Sequence, residues 1–185
     1  MASSWPAGAF AHTADSAQGF LTGLLHPVFG PDHFLAMLSV GIVSAQLGRR
    51  YVWIVPAVFV TAMIVGAVFG IYGHEWPATE LGIALSVLVL GIAIMLVRDD
   101  RYRWPIMLVT ALFGSLHGHA HGLEMPGAAD PVFYAGGFLT GTTAIHILGV
   151  AIGHGMTVRG ALTRYLRILG CAIAIVGVVF VAGSA

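Results

Sequence analysis

His26-Pro27-Val28-Phe29-Gly30-Pro31-Asp32-His33 sets two imidazoles and a carboxylate inside a run that is otherwise apolar from Phe20 to Leu47. Ionisable groups at membrane depth are costly to desolvate, so their presence in such a run marks a functional site by default. Two prolines and a glycine also interrupt the helical hydrogen bonds there, and the freed backbone groups need a polar cavity to line. A kinked helix whose His and Asp satisfy each other would account for one such residue. Three of them at a helix break, in a histidine-rich chain, point to an ion site.

The rest of the chain agrees with a membrane setting. Of its 185 residues 58% are hydrophobic and 9% charged, far below the roughly 25% charged expected of a soluble domain. The fold class is all-α: a polytopic integral membrane protein with lipid as its surroundings. Zero net charge and the absence of any Lys argue against nucleic acid as a partner. The same absence rules out a Walker-type lysine loop, so this chain does not itself hydrolyse ATP. A single cysteine, Cys171, permits no internal disulfide.

Runs of about 20 apolar residues span a bilayer, and six are found, at about 16–47, 51–72, 81–97, 104–119, 132–153 and 161–182. The first would measure ~48 Å as a straight helix against a ~30 Å core, so it tilts, folds back or divides at His26–Asp32. Residues 16–185 form a single transmembrane helical domain. Residues 1–15 read as a leader remnant or extracytoplasmic tail, since Ala9-Phe10-Ala11 has the small-x-small form of a signal-peptidase site without the charged region that normally precedes it. Cleavage after Ala11 would give His12 an amine and an imidazole to offer one metal ion.

Orientation follows from arginine. All eight lie in three alternate connections: Arg49 and Arg50; Arg98, Arg101 and Arg103; Arg159, Arg164 and Arg167. By the positive-inside rule those connections are cytoplasmic and both termini are outside. The outer side then carries Asp15, Glu75, Glu80, Glu124 and Asp130 with His12, His74, His119 and His121, a mouth that would concentrate divalent cations. Glu80 taken alone reads as solvated loop. Glycines at small-xxx-small spacing, such as Gly66 and Gly70 or Gly149 and Gly153, read as close helix packing. Trp76 and Trp104 read as interfacial anchors. The pentapeptide from Gly19 to Gly23 recurs from Gly137 to Gly141, which in so Gly- and Leu-rich a chain reads as coincidence.

The second constellation is His117-Gly118-His119-Ala120-His121-Gly122-Leu123-Glu124. On a continuous helix His117 and His121 share one face, with Glu124 another turn on, a spacing that can chelate one ion. Counted by helical rise, His26 lies near mid-membrane, His146 beyond it and His154 at the cytoplasmic end, which suggests a route. Imidazole with carboxylate suits Ni, Co, Zn or Cu(II), and the lack of a Cys pair or Met cluster argues against Cu(I).

His-Pro-x-x-Gly-x-Asp-His, followed by Leu35-Ala36-Met37, Val40-Gly41 and Ala45-Gln46-Leu47-Gly48, resembles the HupE/UreJ family of bacterial nickel permeases, as does the run from His117 to Glu124. The resemblance implies secondary uptake of Ni(II), with Co(II) as the alternative, across the bacterial inner membrane to supply hydrogenase or urease maturation. It implies that His26, Asp32 and His33 match the first motif and His117, His121 and Glu124 the second. Copper and zinc stay open as cargo, since geometry selects among neighbouring metals more than ligand type does. No permanently bound cofactor is expected.

Two other functions fit the same residues. One is a membrane-embedded zinc hydrolase, with Asp32 or Glu124 as general base. The other is a metal-binding subunit of a larger transporter, copper included. Histidines spread from one face of the membrane to the other disfavour the enzyme. The coupling ion and the oligomeric state, homo-oligomer included, are not legible.

Overall fold

A computed structural model describes residues 7–124, 131–158 and 163–184, with side chains from residue 17 onward. Among them are α1 (Ala7–Phe29), α2 (Pro31–Leu47), α3 (Tyr51–Ile71), α4 (Thr79–Leu96), α5 (Arg103–Glu124), α6 (Pro131–Val158) and α7 (Thr163–Gly183), with one 3-10 turn at Asp100–Tyr102 and no strand. The His12 side chain, Asp130 and Arg159 lie outside the described residues.

The first segment divides where the prolines require it. Gly30 is extended (φ −81°, ψ 103°) and Pro31 opens α2. Pro31 has no N–H to return to the Pro27 carbonyl, so the helical ladder stops there. The axes of 17–29 and 31–47 differ by 78°.

Four helices, α3, α4, α6 and α7, are long and apolar enough to cross a membrane, and the bent α1–α2 pair makes a fifth span if counted as one. The expected span at 104–119 lies within α5, which is not among these. Its last two turns carry His117, His119 and His121, all buried against other helices. A helix that hides its polar face inside the protein need not be apolar in composition.

α2 is the hub. Ala36 to Ser44 are buried on every face, as an all-round apolar helix at the centre of a bundle must be. Around it the strongest contacts form three groups: α6 along both α1 and α2, α3 on α5, and α4 on α7. Gln46 ties α2 to α4 by donating to the carbonyls of Ile94 (2.8 Å) and Val97 (3.1 Å), which the end of α4 leaves unpaired.

Glycine sets the spacing within the groups. A Cβ on Gly118 would overlap the Met63 carbonyl, and one on Gly66 the Ser115 carbonyl. The repeated pentapeptide acquires a structural role: a Cβ on Gly137 would strike the Phe20 carbonyl, and one on Gly23 the Tyr134 carbonyl. The two copies are opposite faces of one helix contact.

These contacts also fix direction. Phe20 and Leu24 meet Gly137 and Gly141 in order, Leu38 and Ile42 meet Gly149 and Gly153, and Phe59 and Met63 meet Gly114 and Gly118. So α1 and α2 each run in the same sense as the part of α6 they touch, and α3 runs in the same sense as α5. Leu88 meets Gly177 and Gly91 meets Gly170, so α4 and α7 are antiparallel.

Candidate metal centre

Three helix ends meet beside α2. The last turn of α1 supplies His26, the first turn of α2 supplies Asp32 and His33, and the last turns of α5 supply His117, His121 and Glu124. Glu124 Oε2 lies 3.4 Å from His121 Nδ1 and 3.6 Å from His26 Nε2. One donor atom from each of His26, His121 and Glu124 falls within 4.8 Å of the others, close enough for one ion to bridge all three.

The inner part of the cluster is preorganised. Asp32 Oδ1 accepts from both the backbone N–H and the Nδ1–H of His33, each at 2.8 Å. His117 Nδ1 donates to the Phe113 carbonyl one turn back, also at 2.8 Å. An ionised carboxylate and a carbonyl can only accept, so both rings carry their proton on Nδ1 and present a lone pair at Nε2. Neither Nε2 has a partner, and both are buried. Holding a histidine through its second nitrogen is how proteins orient imidazole toward a metal.

The four rings form a chain. Centroids are 4.7 Å apart from His26 to His121, 4.7 Å from His121 to His33 and 4.8 Å from His33 to His117. The outer end is exposed and the inner end is not: the Glu124 side chain is 56% and His26 33% exposed, His121 and His33 are 3% and 12%, and His117 is fully buried. Phe138, 4.1 Å from His121, and Tyr134 wall it on the α6 side. A hydrated cation arriving at the exposed carboxylate would exchange water for imidazole as it moves inward.

The break leaves His26 beside the last turn of α5 and the first turns of α6. His26, His33, His117 and His121 gather in one place, while His146 and His154 lie further along α6.

The other sequence candidates lie elsewhere. His119 points away from the cluster, and both its nitrogens are engaged: Nε2 bonds the His74 carbonyl and Nδ1 lies 3.1 Å from Thr79 Oγ1. Trp76, read as an anchor, stacks on the His119 ring at 4.5 Å, so the pair fastens the α3–α4 connection to α5. His146 is buried on α6 with both nitrogens unpartnered, and its ring, like that of His117, packs near Phe59. His154 is exposed. Glu80 is exposed, as a solvated carboxylate is, and lines an open cavity of about 580 Å³ together with Asp32. Phe59, Tyr134 and Phe138 carry no signal in the sequence, because an aromatic in an apolar helix looks like packing.

Two motifs from distant parts of the chain thus come together in one candidate site. The model of the HupE / UreJ protein family matches residues 1–180. This chain belongs to the HupE/UreJ family. It is 37% identical over 179 residues to Protein HupE of Rhizobium leguminosarum bv. viciae, covering 96% of this chain and 92% of that relative. No solved structure matches the chain.

Proposed function

We propose that this HupE/UreJ member is a secondary permease that takes up divalent transition-metal ions, Ni(II) first and Co(II) as the alternative. The observation that carries the reading is the convergence of His26, His33, His117, His121 and Glu124 from separate helices, with unpartnered imidazole nitrogens facing inward. An imidazole-rich site with one or two carboxylates suits borderline divalent ions of this kind.

The placement of the site favours transport over catalysis. His26 and His33 belong to the group of α1, α2 and α6, whereas His117, His121 and Glu124 belong to the pair α3 and α5, and the two groups touch each other far less than they touch internally. An ion held between two such bodies is released when one rocks against the other, the usual basis of alternating access. Four histidines gathered in one place would also suit a zinc hydrolase. The two-body placement argues against it, since hydrolysis needs ligands fixed relative to one another.

Helix direction supports six crossings in the bacterial inner membrane. Three elements run one way (α1–α2 as one broken crossing, α4 and α6) and α3, α5 and α7 run the other, as strict alternation requires. Arg49 and Arg50, with Arg98, Arg101 and Arg103, then fall at one end, the cytoplasmic one by the positive-inside rule, with both termini periplasmic.

The test is uptake of radioactive nickel into proteoliposomes containing only this protein, with cobalt, copper and zinc as competitors. Uptake that follows an imposed ion gradient or potential, and that excess nickel outcompetes, is the expected result. Saturable binding without uptake would favour a subunit that hands metal to a partner. Turnover of a peptide or lipid by the purified protein would favour the hydrolase.

A further inference from the structure

Beyond the cluster, one polar group of the core has no use in the site described. His146 is 2% exposed and neither ring nitrogen has a partner. Its neighbour one turn back, Thr142, is fully buried and its hydroxyl is also unpartnered, although Thr140 and Thr143 on the same helix satisfy theirs on carbonyls four residues earlier. Unsatisfied polar groups in a membrane core are costly, so such residues persist where something intermittently satisfies them.

Phe59 touches both this pair and the metal cluster. Its ring is fully buried, with its centroid 5.5 Å from that of His117 and 5.1 Å from that of His146. Its helix is shaped for local movement at that point. Pro56, one turn earlier, removes a hydrogen bond from α3, which is where helices bend. The backbone from Phe59 onward is held, because Gly114 and Gly118 press α5 against the Phe59 and Met63 carbonyls, so the part free to move at Phe59 is its ring. A cavity of about 260 Å³ lined by Pro56, Val60, Thr143 and His146 adjoins this part of α3.

We propose that Phe59 is the barrier between two stations on the metal's path, and that His146 beyond it is the inner station, taking a divalent cation from His117 when the Phe59 ring turns aside. The inference rests on the permease reading and adds to it a second site and a gate. A single imidazole beside one hydroxyl holds an ion weakly, so the inner station passes the ion on. The outer cluster, with four imidazoles and Glu124, holds it. While Phe59 fills the gap, ions bind outside without leaking inward.

The test separates binding from passage in the full-length protein. His146→Leu fills the same space without a ligand atom. It is expected to bind nickel like the unaltered protein in equilibrium dialysis, yet to lose nickel uptake in proteoliposomes. For the gate, His146→Cys is made together with Cys171→Ser, and a small charged methanethiosulfonate is added from the side to which Glu124 opens. Labelling is expected to be absent while Phe59 is present and to appear when Phe59→Leu is added. Normal uptake by His146→Leu, or equal labelling with and without Phe59→Leu, overturns the proposal. An unaltered protein that takes up no nickel instead sinks the permease reading itself, and this inference with it.

Discussion

Removing the Asp32 carboxylate tests whether it is a ligand or the group that aims one. Its Oδ1 accepts two hydrogen bonds from His33 at 2.8 Å, one of which holds the ring proton on Nδ1 and so keeps Nε2 as a lone pair. In Asp32→Ala that proton can move to Nε2, and the ring loses its anchor at the start of α2. Carboxylates that orient a metal-binding histidine are generally worth about 10- to 100-fold in metal affinity, about 1.4–2.7 kcal/mol. The Asp32 side chain is 30% exposed, and screening by water places the loss near the lower figure, about tenfold. Asp32→Asn keeps an oxygen that can accept both bonds, and is expected to lose about half as much free energy, roughly threefold in affinity. The assay is nickel binding by the purified protein in nanodiscs, with uptake measured in parallel at limiting metal. If Asp32→Asn abolishes binding while Asp32→Ala is no worse, the carboxylate is a direct ligand and the orienting role is wrong. If both bind within about twofold of the unaltered protein, Asp32 has no part in the site.

Other consequences can be checked alongside. Glu124→Gln removes the exposed charge shared by His26 and His121, so it should slow capture and make uptake less sensitive to ionic strength, read as initial rates across a salt series. Glu80→Gln, on the open cavity it shares with Asp32, should leave nickel affinity unchanged and lower the uptake rate only at low salt. His119→Ala unfastens the Trp76–His119 stack and should lower thermal stability by about 1–3 kcal/mol while nickel stoichiometry is kept; loss of a bound ion would place His119 in the site. Gly118→Val forces a side chain into the Met63 carbonyl and should cost at least about 1–3 kcal/mol, seen as lost monodisperse protein in detergent, because the α3 and α5 backbones would have to separate.

Much of this protein is set by local chemistry that one chain displays. Long continuous apolar runs fix an all-helical membrane fold, because such a segment satisfies its own backbone in lipid as a helix, whereas a barrel strand would alternate apolar and polar residues. Pro27, Gly30 and Pro31 fix the break in the first segment, because proline cannot continue the ladder. The two His-rich motifs name the candidate ligands, and the resemblance they carry named the family that the comparisons confirm.

Other features depended on which groups face each other across helices, and spacing along a chain cannot give that. The 78° bend leaves His26 beside the end of α5. Alternate residues of one motif part company, His117 and His121 toward the cluster and His119 toward Thr79, because successive helical positions point in different directions. The repeated Gly-Phe-Leu-Thr-Gly became a contact only when α1 lay against α6. Phe59 shows its contact with both His117 and His146 only in three dimensions, since its two neighbours lie on two other helices. Sequence offered the candidate ligands and the membrane setting; tertiary packing decided which candidates lie close enough to hold one ion together, because coordination depends on distances between side chains that the chain brings from far apart.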